Sequence, residues 1–388
     1  MKYIYPIFCI IFFVSCSSSE NDLFHPKVEN YPYYNSKVDI EIVERKYDDS
    51  VEEEINYSGI PHYEKSIFKK KFSISFLDSV VIPDGEINYS QFESLNDSLI
   101  VFNDVFTNNL SLYGYDFDNW ETIAEQGRGP GQIMFSSDLI VKDNQVITSH
   151  KDSRVNFFNC FKKTCEYDKT LVLDKIQPES IQIHNGEIVA MGTNSFLAQG
   201  FSSEVNESDL ISIHKYNESG DYINSFGEFY NINGHWMLMR PFSEGKIRIN
   251  KEGKLFQSYK LLPYLYVFSN DILDKKIVFR GFNISKRKYI TETQELFVNF
   301  DDWSMIQDVK IIDNTKLLVT IRHLANRNVL TDIVDWEESK DFYLIDMEDY
   351  SSYYMGNFSI DNENLWFTSK HVVFSKNNFL HIYKYKLE

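Results

Sequence analysis

Positive charge is scarce in this chain: 39 Lys and Arg stand against 57 Asp and Glu, a formal net charge of −18. Without a basic face, nucleic acid is disfavoured as a partner, and so is electrostatic docking onto anionic lipid. Histidines are few and scattered, and no His-x-x-x-His pair supports a zinc site. No Gly-x-Ser-x-Gly elbow is present for a serine nucleophile. The acidic neighbours Asp301-Asp302 and Glu337-Glu338 are adjacent in sequence, whereas a glycosidase needs two acids placed across a cleft. A sustained helical period is almost absent. Only one run of apolar residues is conspicuous, Ile4 to Val14, and it is too short to cross a bilayer as a helix.

Aromatic residues, by contrast, are abundant, with 31 Phe, 25 Tyr and 5 Trp. Such side chains fit a half-buried pleated surface and favour packed β-structure. At the N-terminus Lys2, the apolar run and Ser15-Cys16 have the order of an export signal. A small residue followed by cysteine resembles the lipobox of bacterial lipoproteins, although Phe13 stands where leucine is usual and a single Lys forms the basic region. The resemblance implies cleavage before Cys16 and acylation of that residue. It implies an outer-membrane lipoprotein of the cell envelope, periplasmic or surface-exposed, held by its lipid anchor. Residues 1–15 are then the signal, 16–65 a lipidated cysteine and tether with room for an extra strand, and 66–388 the folded domain. The stretch 17–36 shows no period and reads as linker. Glu20 and Asp22 weakly resemble an acidic surface-export signal. With Cys9 removed and Cys16 lipidated, Cys160 and Cys165 flank Phe161 to Thr164, the tip of a predicted hairpin. A disulfide is expected there in an oxidising compartment.

From about residue 66 one pattern recurs: short strand, polar turn, short strand. The strands fall near 99–102, 109–113 and 120–123; then 145–148, 155–158 and 169–173; then 187–190, 210–216 and 222–226. They continue near 254–258, 264–268 and 276–279; 316–320 and 342–345; and 365–367, 372–374 and 379–383. About four strands per 45–60 residues is the spacing of a propeller. The expected fold is therefore all-β, a six-bladed β-propeller of four-stranded antiparallel blades. A pair of β-sandwiches is the competing architecture. The last unit stops after three strands, so an N-terminal strand must complete it and hide a sheet edge. Phe68–Phe76 alternates suitably, and Val38–Ile42 competes for the same role.

Gly127-Arg128-Gly129-Pro130-Gly131 resembles the Gly-x-Gly-Pro-Gly turn of NHL-like and TolB-like six-bladed propeller lipoproteins of Gram-negative gut bacteria. Gln132-Ile133 departs from the acidic-aromatic continuation usual there. In that family the turn leads from the outer strand of one blade to the inner strand of the next. As a phosphate loop it fails, because no Lys-Ser/Thr follows and no helix opens.

Propeller connectivity would put the long connections 193–209, 227–237, 281–305 and 323–340 on one face. The shorter hairpins 114–119, 217–220 and 270–274 would lie on the other. Long loops on a rigid scaffold are where binding is usual. The cations and aromatics of that face are Arg128, His150, Lys151, Arg154, His235, Trp236, Arg240, Arg322, His323 and Arg327, a set suited to an anionic or carbohydrate ligand. The expected function is a monomeric scaffold that binds a protein or glycan. The alternative is a lactonase-like hydrolase or lyase with calcium on the propeller axis, for which Asp104, Asp138 and Asp152 are the loosely placed candidates. No other cofactor is expected. Asp49-Ser50-Val51, Asp78-Ser79-Val80 and Asp97-Ser98-Leu99 resemble an O-glycan acceptor motif, and ordinary turn chemistry explains them equally.

Overall fold

The computed structural model describes residues 28–44, 72–81, 91–105, 107–114, 120–194, 211–230, 242–284, 287–290, 295–298, 302–326, 336–359, 364–376 and 379–387. Two early strands, β1 (Asp39–Val43) and β2 (Phe72–Val81), join blades formed much later in the chain. Blade one is β3 (Gln91–Ser94), β4 (Leu99–Asp104), β5 (Asn109–Gly114) and β6 (Glu121–Ala124). Blade two is β7 (Ser136–Lys142), β8 (Gln145–His150), β9 (Arg154–Phe161) and β10 (Thr164–Val172). Blade three is β11 (Ile176–His184), β12 (Glu187–Asn194), β13 (Ile213–Tyr216) and β14 (Tyr222–Phe226). Blade four is β15 (Gly245–Ile249), β16 (Leu255–Tyr259), β17 (Tyr264–Ser269) and β18 (Ile272–Phe279). A separate hairpin, β19 (Arg287–Ile290) with β20 (Glu295–Val298), precedes blade five. Blade five is β21 (Trp303–Ile312), β22 (Lys316–Asn326), β23 (Trp336–Asp346) and β24 (Ser352–Ser359). Blade six takes β25 (Asn364–Phe367), β26 (His371–Lys376) and β27 (Phe379–Leu387) from the C-terminal end and β2 as its outer strand. The six-bladed propeller expected from the repeat is the fold.

Hydrophobic contact between blades holds the ring. Successive residues of a strand face opposite sides of its sheet, and here both sides are covered by neighbouring blades. Val146 of β8 thus packs with Leu112 and Phe158 between blades one and two, while Ile147 packs with Ile181 and Tyr216 between blades two and three. Four further clusters fill the remaining gaps, the last joining Phe92 and Phe102 of blade one to Val373 and Ile382 of blade six. Coverage on both sides explains apolar runs such as Leu99-Ile100-Val101-Phe102, all buried.

Both candidate N-terminal strands exist, in different blades. β2 pairs antiparallel with β27, Phe72 opposite Leu387 and Val81 opposite Phe379, and closes the ring. β1 instead pairs parallel with β18, Ile40 opposite Lys276, as a fifth strand of blade four.

Part of the expected linker is folded as well. Tyr31 and Tyr33 are buried between blades three and four. The Tyr33 amide donates to Glu228 Oε2 at 2.6 Å, and the Glu228 amide donates to the Tyr33 hydroxyl at 2.8 Å. Tyr266 donates its hydroxyl proton to the Pro32 carbonyl at 3.2 Å. Tyr31 lies against Tyr264 at the start of β17, with ring centroids 5.5 Å apart, and Tyr33 lies against Phe268 near its end, also at 5.5 Å. This strap therefore enters at the end where β17 begins, descends between the blades, and returns along β18 as β1.

Candidate functional site

The inner strands β3, β7, β11, β15, β21 and β25 surround the axis, and a cavity of about 680 Å³ lies between them. Its lining comes mainly from the first halves of these strands, with Val105, Lys151 and Lys260 from connections between second and third strands. Both kinds of segment belong to one end of the propeller, the end that carries the longer connections. The cavity therefore belongs to the face that loop length singles out.

Local irregularity shapes its wall. β7, β11 and β21 each carry a one-residue register shift near the start, and the residues passed over are Ser137, Glu179 and Gln307. All three line the cavity. A bulge breaks the two-residue alternation and re-aims a side chain, so three inner strands each turn an extra polar residue toward the axis. The bulge beside Pro178 also accommodates a residue that cannot donate to a ladder.

Five carboxylates, from Asp138, Glu179, Glu244, Asp308 and Glu338, line the cavity with six cations, from Lys151, Lys246, Arg248, Lys260, Lys310 and Arg322. They are paired. Asp138 lies 2.5 Å from Lys246 and 3.3 Å from Arg248, and Arg248 also lies 3.6 Å from Asp308. Lys310 lies 2.6 Å from Glu93, while Lys151 meets Glu179 at 3.4 Å and Lys260 meets Glu244 at 3.7 Å. Arg322 pairs with Glu338. Burial alone would raise the Asp138 carboxyl, but Lys246 and Arg248 outweigh it and hold the group well below the usual carboxylate range. For Glu179 the balance goes the other way: burial and the nearby Glu244 raise its carboxyl despite Lys151.

Two tryptophans, Trp303 and Trp366, add aromatic surface to this wall. Buried on the same wall, Trp303 Nε1, Gln307 Oε1 and Arg322 Nε have no hydrogen-bond partner among the described residues.

Of the cations expected on this face, Arg322 and Lys151 do line the cavity. Arg128 is exposed in the glycine turn, with Nε 3.2 Å from Met134 Sδ. Arg154 braces the same turn, donating to the Arg128 carbonyl at 3.1 Å and pairing with Asp152 at 2.9 Å. The turn does lead from outer β6 to inner β7, and Gln132, the departure from the family pattern, accepts the Gly129 N–H at 2.8 Å.

His150 is buried rather than displayed. Its Nδ1 lies 3.1 Å from the Met134 carbonyl and its Nε2 3.0 Å from Thr148 Oγ1. His323 bridges Ser304 Oγ at 2.8 Å and Asp341 Oδ2 at 2.9 Å. This serine–histidine–aspartate chain has the partners of a nucleophilic triad, but Ser304 and Asp341 are fully buried. Ser304 Oγ also accepts the Asn283 N–H at 2.9 Å. The chain braces blade five from β21 to β23. His235, Trp236, Arg240, Arg327 and Cys16 lie outside the described residues.

The three aspartates proposed for axial calcium do not assemble a site. Asp138 spends its oxygens on Lys246, Arg248, the Ser180 hydroxyl and the Ile181 N–H. Asp104 caps Thr107, and Asp152 holds Arg154. Among the described residues no group of three or more His, Cys, Asp or Glu is arranged to hold a metal ion.

Cys160 and Cys165 face each other across β9 and β10 and are joined by a disulfide. Ser79 and Ser98 of the Asp-Ser-aliphatic triplets are exposed, and the triplet 49–51 lies outside the described residues.

No family model matches the chain, and no curated protein does. Among solved structures it is similar to a protein of Bacteroides fragilis NCTC 9343 named for its inferred export, with 13% identity and a TM-score of 0.54. That match covers 90% of this chain and 99% of the other. A Bacteroides thetaiotaomicron VPI-5482 protein of unknown function matches over 81% of this chain and 76% of its own, at 6% identity and a TM-score of 0.45. The WD40 propeller domain of Doa1 matches over 80% and 97%, at 11% identity and a TM-score of 0.40. At these identities the likeness to the Bacteroides fragilis protein is one of fold, and the fold is the six-bladed propeller.

Proposed function

We propose that this protein is an exported, lipid-anchored binding scaffold of the cell envelope, related to the TolB-like and NHL-like propeller lipoproteins. It engages a protein or glycan partner over the open end of its central cavity. One observation carries this reading: bulged inner strands line an axial cavity with paired charges and tryptophan at the loop-rich end. Rigid scaffolds with a concave, polar-patterned mouth are built for recognition. Export and anchoring are supported by the signal-like N-terminus with Ser15-Cys16, and by the inferred export of the Bacteroides fragilis protein of like fold.

Two measurements test the two halves of the reading. Cys16→Ala should abolish incorporation of labelled palmitate and move the protein from the membrane to the soluble fraction; unchanged fractionation overturns the anchor. Lys151→Glu with Lys260→Glu reverses charge at the cavity and should weaken capture of the natural partner about tenfold, at a temperature where circular dichroism shows the variant still folded. Undiminished capture moves the binding surface elsewhere.

A further inference from the structure

We infer that the cavity takes a neutral saccharide, with Trp303 and Trp366 in its wall and Phe135, the neighbour of the lining residues Ser136 and Lys151, as aromatic surfaces. This rests on the proposed binding role of the cavity and names its ligand class.

Charge favours such a ligand. Every carboxylate of the lining sits beside a cation. A polyanion or polycation would have to break these pairs and desolvate what remains. A sugar would not. A paired cation and carboxylate present a donor and an acceptor side by side, and neighbouring sugar hydroxyls, each donor and acceptor, match that array without adding charge.

Blade five offers unmet polar groups. Trp303 Nε1 and Arg322 Nε are donors, Gln307 Oε1 is an acceptor, and all three are covered and unpartnered among the described residues. Buried polar groups are normally satisfied, and each exception carries a standing cost. Their side chains line the cavity, so turning toward a hydroxylated ligand exchanges an unmet hydrogen bond for a made one. Gln307 is also the residue its bulge re-aims.

Phe135 is strained. Its φ of +54° is left-handed, a conformation costly for a bulky side chain, and the residue is 51% exposed. The backbone is clamped at both groups: its N–H donates to Asn108 Oδ1 at 2.7 Å and its carbonyl accepts the Lys151 N–H at 3.0 Å. Next to it, Ser136 and Lys151 line the cavity. Strain held in place by clamps, with an aromatic ring turned to solvent beside a cavity, is the arrangement of a recognition residue. Faces of aromatic rings pack on the apolar faces of sugars while the hydroxyls bond elsewhere.

The test is titration of the folded chain with neutral gluco-, manno-, galacto-, xylo- and fuco-oligosaccharides, followed by tryptophan fluorescence and calorimetry. A uronic-acid oligosaccharide and a sulfated one form separate arms. At least one neutral oligosaccharide should bind and change the tryptophan emission. Phe135→Gly should weaken that binding about fivefold to tenfold while leaving Tm unchanged or raised, because glycine accepts the left-handed backbone without strain. A purely structural Phe135 would instead lower Tm and leave affinity alone, which overturns the inference. So does binding of the acidic oligosaccharides only, or no neutral binding up to about 10 mM. If neutral sugars fail while Lys151→Glu with Lys260→Glu still releases a protein partner, the saccharide is wrong and the binding face stands. If neither has any effect, both readings fall.

Discussion

Asp138 of blade two and Lys246 of blade four meet at 2.5 Å, past the intervening blade three. Arg248 extends the link to Asp308 of blade five, and Lys310 of blade five reaches Glu93 of blade one. Ionic contacts thus tie four of the six inner strands to one another.

Asp138→Asn removes the one charge that faces both Lys246 and Arg248 while keeping the side-chain shape. Leaving buried cations unpaired is costly, so a loss of about 3–5 kcal/mol in stability is expected from urea unfolding. Because the folded carboxyl titrates below its unfolded value, its contribution is complete above about pH 4 and is lost as pH falls through the folded pKa. The wild-type and mutant stabilities should therefore converge in strong acid. A constant difference between pH 7 and pH 2 would show that the charge is not what stabilises.

Histidines give a second pH window. Burial pulls the imidazoles of His150, His214 and His371 down to about 4. In the unfolded chain they titrate near 6.5, so between about 6.5 and 4 the unfolded state binds more protons and stability falls as pH drops. The slope should approach about 1.4 kcal/mol per pH unit for each histidine. Denaturation midpoints measured from pH 7 to pH 4 should show it, and His371→Gln should flatten the slope by about one third. An unchanged slope in that variant removes His371 from the account.

Lys340 is buried, and its Nζ meets neutral acceptors among the described residues, Asn364 Oδ1 at 3.3 Å and the Leu365 carbonyl at 3.5 Å. Burial lowers its amine to about 7. Lys340→Met should stabilise the protein by about 1–3 kcal/mol near neutral pH. The unfolded amine keeps its proton to about pH 10, so the native lysine becomes less costly as pH rises, and the gain should shrink between pH 7 and pH 9. A gain independent of pH would point to packing alone.

The Cys160–Cys165 bridge closes a short loop in a hairpin already held by its ladder. Cys160→Ser with Cys165→Ser should cost about 2 kcal/mol, the chain-entropy value for so small a ring. Thermal melts with and without reductant would measure it. A collapse of the whole fold on reduction would contradict a local role.

The fold was readable because second and third strands are pressed between blades and carry apolar residues on both faces. Leu99–Phe102, Val155–Phe158 and Tyr264–Phe268 announce themselves in this way. The inner strands of the first five blades do not. Ser136-Ser137-Asp138 and Gln177-Pro178-Glu179-Ser180 face a polar axis and are interrupted by bulges, so neither alternation nor hydrophobicity marks them. These are the strands that build the cavity, which is why Glu179, Lys246, Arg248 and Gln307 were missed while Arg322 and Lys151 were found. Loop length points to the end of the propeller where the cavity opens, but it gives His150 and His323 to the surface. Hydrogen bonds within their blades bury the first and engage both nitrogens of the second.

The strap at residues 28–43 has a mechanical consequence. The ring is closed by β2 against β27, a seam between strands from opposite ends of the chain. Any pull arriving from upstream of Val28 reaches Tyr31 and Tyr33, and then the five-residue pairing of β1 with β18, before it can reach that seam. In a tethered protein the strap is thus a strain relief: tension is borne by a side cleft and a sheared outer strand.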